Sequence, residues 1–177
     1  MSLFTLKQLR ESYPSSGELV WIGIRPAKNR PLQVLQQVWA DCHSGLMGDH
    51  YSGKNGKRQV TLFQWEHLAV LTAFIGKPVT PDRVRRNLVI KGINLLALKQ
   101  QDIRIGGAVL HITGLCHPCS RMEKILGPGG YNAMRGHGGV TAQVIESGFM
   151  KLGDRLTVLS GSGRNFGLGG ETGGTFQ

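Results

Sequence analysis

Ile103-Arg104-Ile105-Gly106-Gly107-Ala108-Val109-Leu110-His111-Ile112-Thr113 is the stretch on which the fold turns. Two short β-rich runs flank a Gly-Gly pair, the pattern of two strands joined by a tight turn. The pattern is echoed downstream, where Leu152-Gly153-Asp154 precedes Leu156 in a further run over 155–159. Working outward, residues 88–90 and 140–145 add short β-rich runs separated by Gly turns. Upstream, 18–24, 35–40 and 58–63 read the same way, with a turn over 25–31 and a Gly-punctuated loop over 42–56. Regularly spaced short strands with little helix between them predict an antiparallel barrel and argue against a parallel βαβ sheet. The fold class expected is mainly β, a β-barrel with several peripheral helices.

The helices are few. Leu3, Leu6 and Leu9 recur near helical spacing before Pro14, which predicts a short opening helix. From Glu66, the residues His67, Leu68, Val70, Leu71, Phe74 and Ile75 fit a helix closed by Gly76. Thr80 followed by Pro81 reads as an N-cap and a first helical position, predicting a short helix through Arg86. One domain over 1–160, with its core at about 18–160, suits a chain of 177 residues. Residues 161–177 are so rich in glycine that a mobile tail is expected.

Composition bounds the function. Charged residues are 18% and hydrophobic residues 40%, enough for a buried core. The 26 glycines are roughly twice the usual share of about 7% and lack a collagen period. Twenty-one Lys and Arg against 11 Asp and Glu give a net charge of +10, so the surface attracts anions. No run of more than two consecutive basic residues occurs, and aromatics are 7%, which favours a phosphate-bearing small molecule over nucleic acid as the anion. Lys7, Arg10 and Glu11 interrupt the N-terminal apolar residues, so no signal peptide is read, and no run of about 20 apolar residues appears. The expected location is the cytoplasm, with no membrane partner. Cys42, Cys116 and Cys119 are an odd number, which argues against a disulfide framework and leaves reactivity or metal binding.

The chemistry concentrates after residue 108, where an apolar strand runs into Cys116-His117-Pro118-Cys119-Ser120-Arg121-Met122-Glu123. Ser120 followed by Glu123 reads as a capping box, opening a helix that contains Ile125 and Leu126 and closes at Gly127. Cys119 then sits just before a helix start, where backbone N–H groups favour anions, and Arg121 adds to the same bias. Several readings remain open for these thiols: a cysteine that merely ends a strand, a C-x-x-C dithiol of thioredoxin type, or a structural zinc site completed by Cys42 and His43. The dithiol reading needs a parallel βαβ unit around the motif, which the Gly loops that follow do not provide.

A resemblance adds a fourth. Arg86-Asn87-Leu88-Val89-Ile90-Lys91-Gly92, Ile105-Gly106, Pro118-Cys119, the glycine run ending Arg135-Gly136-His137-Gly138-Gly139, and Lys151-Leu152-Gly153-Asp154 together resemble a MOSC domain, the C-terminal domain of molybdenum cofactor sulfurases. Gly45-Leu46-Met47-Gly48-Asp49 and Arg58-Gln59-Val60-Thr61-Leu62 resemble the family's N-terminal half, so the likeness spans about 18–160, as in a stand-alone bacterial MOSC protein. It implies a β-barrel with peripheral helices and a molybdenum pterin cofactor. By motif, Cys119 becomes the catalytic residue and metal ligand. Arg86, Asn87, Arg121, Arg135, Gly136, His137 and Gly138 become cofactor-binding residues, with Arg135 and His137 as phosphate donors.

Family activities imply an oxidoreductase acting on N-hydroxylated compounds or, alternatively, a sulfur carrier that passes persulfide sulfur from Cys119 to a metal centre. The partners implied are the cofactor and a small substrate, with an electron-transfer protein or a cysteine desulfurase. Pyridoxal phosphate belongs to the companion desulfurase domain and is not expected here. Similar proteins often carry His two residues after the Gly-Asp, where Tyr51 stands with His50 beside it, and Cys116 is a second cysteine where the chemistry needs one. Asp49 reads as a turn residue or as the partner of a basic group, and Arg83 and Arg85 as solvated helix residues. A basic nucleic-acid-binding barrel is a further alternative; it predicts strongly salt-dependent oligonucleotide binding, indifferent to Cys119.

Overall fold

The computed structural model describes residues 4–28, 30–50 and 56–159. Its first half runs α1 (Leu6–Arg10), β1 (Gly17–Ile24), β2 (Gln33–Leu35), β3 (Gln37–Asp41), β4 (Gly45–Leu46), β5 (Val60–Gln64), α2 (Glu66–Ile75), α3 (Pro81–Val84) and β6 (Leu88–Lys91). After a 3₁₀ turn at Leu95–Leu98 come β7 (Asp102–Ile105), β8 (Ala108–Leu115), α4 (Ser120–Leu126), α5 (Gly130–Ala133), β9 (Val140–Glu146), β10 (Gly148–Lys151) and β11 (Arg155–Leu159). The glycine-rich tail expected at 161–177 lies outside the described residues.

The deciding hairpin forms as read: β7 and β8 pair antiparallel, with Ile105 opposite Ala108 across Gly106 and Gly107. Gly106 adopts φ 55, and a Cβ there would strike the Asp154 carboxylate and the Phe149 carbonyl, so only glycine fits. From this hairpin the ladder runs β11-β7-β8-β9-β5-β6-β1, and pairing of β11 with β1 closes it into a seven-stranded barrel. Gly17 and Glu18 make that closure, while Ile22 to Ile24 on the same strand pair with β2. A second sheet, β10-β3-β4, stands beside the barrel.

One pair departs from the antiparallel expectation. β5 and β6 are parallel, with Leu62 opposite Leu88, because α2 and α3 lie between them and return the chain to the same end of the barrel. The expected run at 35–40 is also broken, becoming β2 and β3 on either side of Gln36.

Alternation sorts the side chains into two cores. Val60 and Leu62 of β5 and Leu88 and Ile90 of β6 point into the barrel, while Phe63 and Val89 point outward beneath the helices. On β1 a bulge between Leu19 and Trp21 shifts the register, so Leu19 and Ile22 both face inward while Val20 and Trp21 face the helices. The outer core is completed by Leu68 and Leu71 of α2, Val84 of α3, Met122 and Leu126 of α4, and Met134. Full burial of each such side chain contributes about 1.5–3 kcal/mol, so the helices are fixed to β5 and β6, the strands whose N-terminal ends line the barrel mouth. α2 ends where Gly76 turns left-handed at φ 71 and donates to the Thr72 carbonyl. α3 stops two residues earlier than expected, because Arg85 itself adopts φ 56.

A barrel mouth lined by arginines around Cys119

β1 ends, β6 begins, β8 ends and β9 begins at one end of the barrel, since Ile22 pairs with Leu88 and Leu115 with Val140. Cys116 follows β8 directly. It is buried, and its N–H donates to the Gly139 carbonyl at 2.9 Å. Cys119 is exposed and is itself the N-cap of α4, at φ −122 and ψ 171. The capping box read at Ser120 does not form. Glu123 turns the other way and accepts from the backbone of Gly129 at 2.8 Å and Tyr131 at 2.9 Å, bonds that hold its carboxyl below the ordinary range. It therefore ties α4 to α5 and leaves the start of α4 without a side-chain cap.

Cys116 and Cys119 are both free thiols, one buried and one exposed, and the strand that follows α4 pairs antiparallel with β8, so the parallel βαβ unit that the dithiol reading needs does not form around the motif. The zinc reading fails on distance. Cys42 donates its N–H to Ser147 beyond the far end of β9, and about six residues of strand at 3.3 Å each separate that end from the Cys116 end.

The charge around Cys119 comes from arginines. Arg86 is buried, with its Nε donating to the Gly138 carbonyl at 2.8 Å, Nη1 to Val84 at 3.0 Å and Nη2 to Cys116 at 3.3 Å. Burial lowers its affinity for its proton, and the Cys116 and Cys119 thiols pull the other way. Arg85 is half-buried; burial, then Arg25 and Arg121, lower its proton affinity, while Cys119 raises it. Arg85 is thus part of the mouth and not the solvated helix residue expected. A non-glycine residue at φ 56 carries backbone strain of order 1–3 kcal/mol, the kind that persists where surrounding structure enforces it. Arg83 is also no solvated residue: it donates to the carbonyls of Pro78 and Ile125, linking α3 to the end of α4.

Arg25 is the residue that sequence reasoning missed altogether. It follows β1 and precedes Pro26, which favours extended backbone and so carries β1 outward to the rim. Its N–H donates to Asp49 Oδ1 at 2.7 Å, and its Nε lies 3.8 Å from the same oxygen. Asp49, its side chain wholly shielded, also accepts from Asn87 Nδ2 at 3.3 Å. Asn87 in turn accepts from Thr61 N and Oγ1 and donates to the Gly23 carbonyl. The Asp49 side chain thus orients a basic group, one of its two expected readings, and Asn87 locks β1, β5 and β6 together beneath the mouth. His50 is held on the Arg25 carbonyl by both its N–H and its Nδ1; Tyr51 lies outside the described residues.

The glycine loop before β9 is held by two successive carbonyls: Arg86 takes Gly138 and Cys116 takes Gly139. A Cβ on Gly138 would strike the Cys116 carbonyl, and one on Gly139 the Leu62 carbonyl. These glycines let the loop lie against strand backbone. Arg135 and Gly136 stand exposed at the turn after α5. His137 faces α2, 4.7 Å from the His67 ring and 5.7 Å from Phe74. The structure therefore gathers Arg86 and Arg121 about Cys119, places Asn87 beneath them, and sets the His137 ring against the helix.

Burial, with the nearby His137, lowers the proton affinity of His67. A histidine depressed in the folded state contributes stability that is present above its ordinary pKa of about 6.5 and is lost as pH falls through the folded value. The urea midpoint is therefore expected to fall between pH 7.5 and 5.5, and by less in His67→Phe. An equal fall in both proteins would show that His67 has no part in it.

Among known proteins, the MOSC domain model matches residues 41–157. No curated protein matches. Among solved structures, the YuaD protein from Bacillus subtilis is similar at TM-score 0.71 and 18% identity, over 82% of this chain and 97% of that one. YiiM from Geobacillus stearothermophilus is similar at 0.68 and 16%, over 81% and 75% of the two chains. YiiM from Escherichia coli is similar at 0.62 and 17%, over 84% and 69%. At such identities the likeness is one of fold.

Proposed function

The chain belongs to the MOSC domain family, and on that premise we propose that it binds a molybdenum pterin cofactor through Cys119 and reduces N-hydroxylated compounds. The observation that carries this reading is an exposed thiol at a barrel mouth where Arg25, Arg85, Arg86 and Arg121 crowd together. Like charges gathered in this way gain nothing from one another and call for an anion. The donor set fits the group. Cys119 offers one soft ligand, and no three His, Cys, Asp or Glu side chains gather as a metal site among the described residues. A metal here would then draw its other donors from its own cofactor. Arg25 Nε is buried without a hydrogen-bond partner, 3.8 Å from Asp49 Oδ1, so the protein itself leaves this guanidinium incompletely satisfied.

In this proposal Arg25 and Arg85 grip the cofactor phosphate. Arg135 and Gly136 approach it from the glycine loop, whose Gly138 and Gly139 carbonyls are tied down beneath. Arg86 and Asn87 set the floor rather than reach outward. When bound, the cofactor supplies the two-electron redox chemistry. The substrate R–NH–OH takes up two electrons and two protons and leaves as R–NH2 and water, while the chain keeps the thiolate in place.

Persulfide carriage through Cys119 is the second reading, and the thiol's exposure permits it. One experiment separates the two. Cofactor-loaded protein with an electron donor is expected to convert a hydroxylamine-type substrate to the amine. One added sulfur by mass after incubation with a cysteine desulfurase, with no amine formed, would replace the reductase reading with the carrier.

A further inference from the structure

Resting on that reading, we propose that the mouth holds two anionic groups at once, the phosphate of the cofactor and a second phosphate carried by the substrate. Arg25, Arg58, Arg85 and Arg121 all lie within electrostatic reach of Arg85 or of the buried Arg86. Arg86 is committed to three backbone carbonyls. Among the described residues, the carboxylate bonded into this group is Asp49, and it is shared between Arg25 and Asn87.

Five guanidinium groups, the buried Arg86 included, against one carboxylate leave a surplus of four positive charges, whereas a phosphate monoester carries about −1.5 to −2. One phosphate leaves the surplus unmatched; two match it. The arginines also differ in depth. The Arg25 side chain is 15% exposed and Arg85 is half-buried, which suits a group held permanently at the floor. Arg58, just before β5, and Arg121, on the first turn of α4, are exposed at the rim, where a substrate arrives and leaves. Planar guanidinium forks match phosphate oxygens in pairs, which makes a phosphate ester the favoured second anion.

The test counts phosphate. Equilibrium dialysis against radiolabelled inorganic phosphate is expected to give two ions per chain on cofactor-free protein and one on cofactor-loaded protein. Arg58→Gln is expected to weaken the remaining ion at least tenfold with its molybdenum content unchanged. One ion on free protein and none on loaded protein would overturn the second site while leaving the cofactor reading intact. Absence of molybdenum from every preparation would overturn the cofactor reading, and the count of two against one on free protein would still decide the second site.

A matched pair of hydroxylamine-type substrates, with and without a phosphate ester, then assigns that site. The phosphorylated one is expected to show a KM at least tenfold lower in wild type and not in Arg58→Gln. Equal KM values in wild type would give the site to free phosphate and overturn the substrate assignment.

Discussion

Cys119→Ser is expected to reduce hydroxylamine-type conversion and persulfide labelling to background, while Cys42→Ser and Cys116→Ala keep measurable levels of both. The three thiols differ in ways that decide this. Cys119 is exposed among arginines, Cys116 is buried behind it, and Cys42 sits with the three-stranded sheet at the other end of β9. A serine hydroxyl keeps the size of the thiol but is neither a thiolate nor a soft ligand at neutral pH. Because the position is exposed and its side chain makes no capping hydrogen bond, the variant is expected to unfold within about 0.5 kcal/mol of wild type. Retained activity with a normal unfolding curve would move the site away from this thiol.

The second large effect is expected at Arg86, and it falls on the fold. Arg86→Met removes a buried guanidinium that joins the end of α3, the exit of β8 and the glycine loop through three carbonyls. Each buried acceptor left unpaired costs about 1–3 kcal/mol, so a loss of at least about 3 kcal/mol is expected. Arg86→Lys is expected to recover little of it, since an ammonium group does not reproduce the planar fork that reaches three acceptors. Arg104→Gln is the control. Its 3.1 Å pair with Glu146 is exposed on both sides, and such pairs contribute about 0–1 kcal/mol. Denaturant midpoints read all three, and equal losses at Arg86 and Arg104 would show that Arg86 pins nothing.

How much of this was legible follows from the range of each interaction. The hairpin at Gly106 is local, and its period of two could be read directly; the same holds for α2 and its Gly76 cap. Closure of the barrel through Gly17 and Leu156 joins residues at opposite ends of the described chain, and only the overall count of short strands pointed to it. The parallel pairing of β5 with β6 was hidden because two short helices do not announce a crossover. At the site, Cys119 was legible, though for a reason that failed: the capping box proved to be a tie between α4 and α5. The charge around the thiol comes from side chains distant in sequence. Arg25 resembled part of a Pro-bounded turn and Arg85 part of a helix, and the backbone reversal at Arg85 has no signature in residue type. The glycines at 138 and 139 pointed to close backbone approach, and the surface they approach is strand backbone at Cys116 and Leu62.

The central claim is that Cys119, in its ring of arginines, retains molybdenum. Its most direct test is metal analysis together with pterin fluorescence on wild type and Cys119→Ser, both made in a host that synthesises the cofactor and both exchanged into buffer free of unbound cofactor. The prediction is about one molybdenum and one pterin per wild-type chain, and neither in the variant. Equal molybdenum in both proteins, or none in wild type, would contradict it.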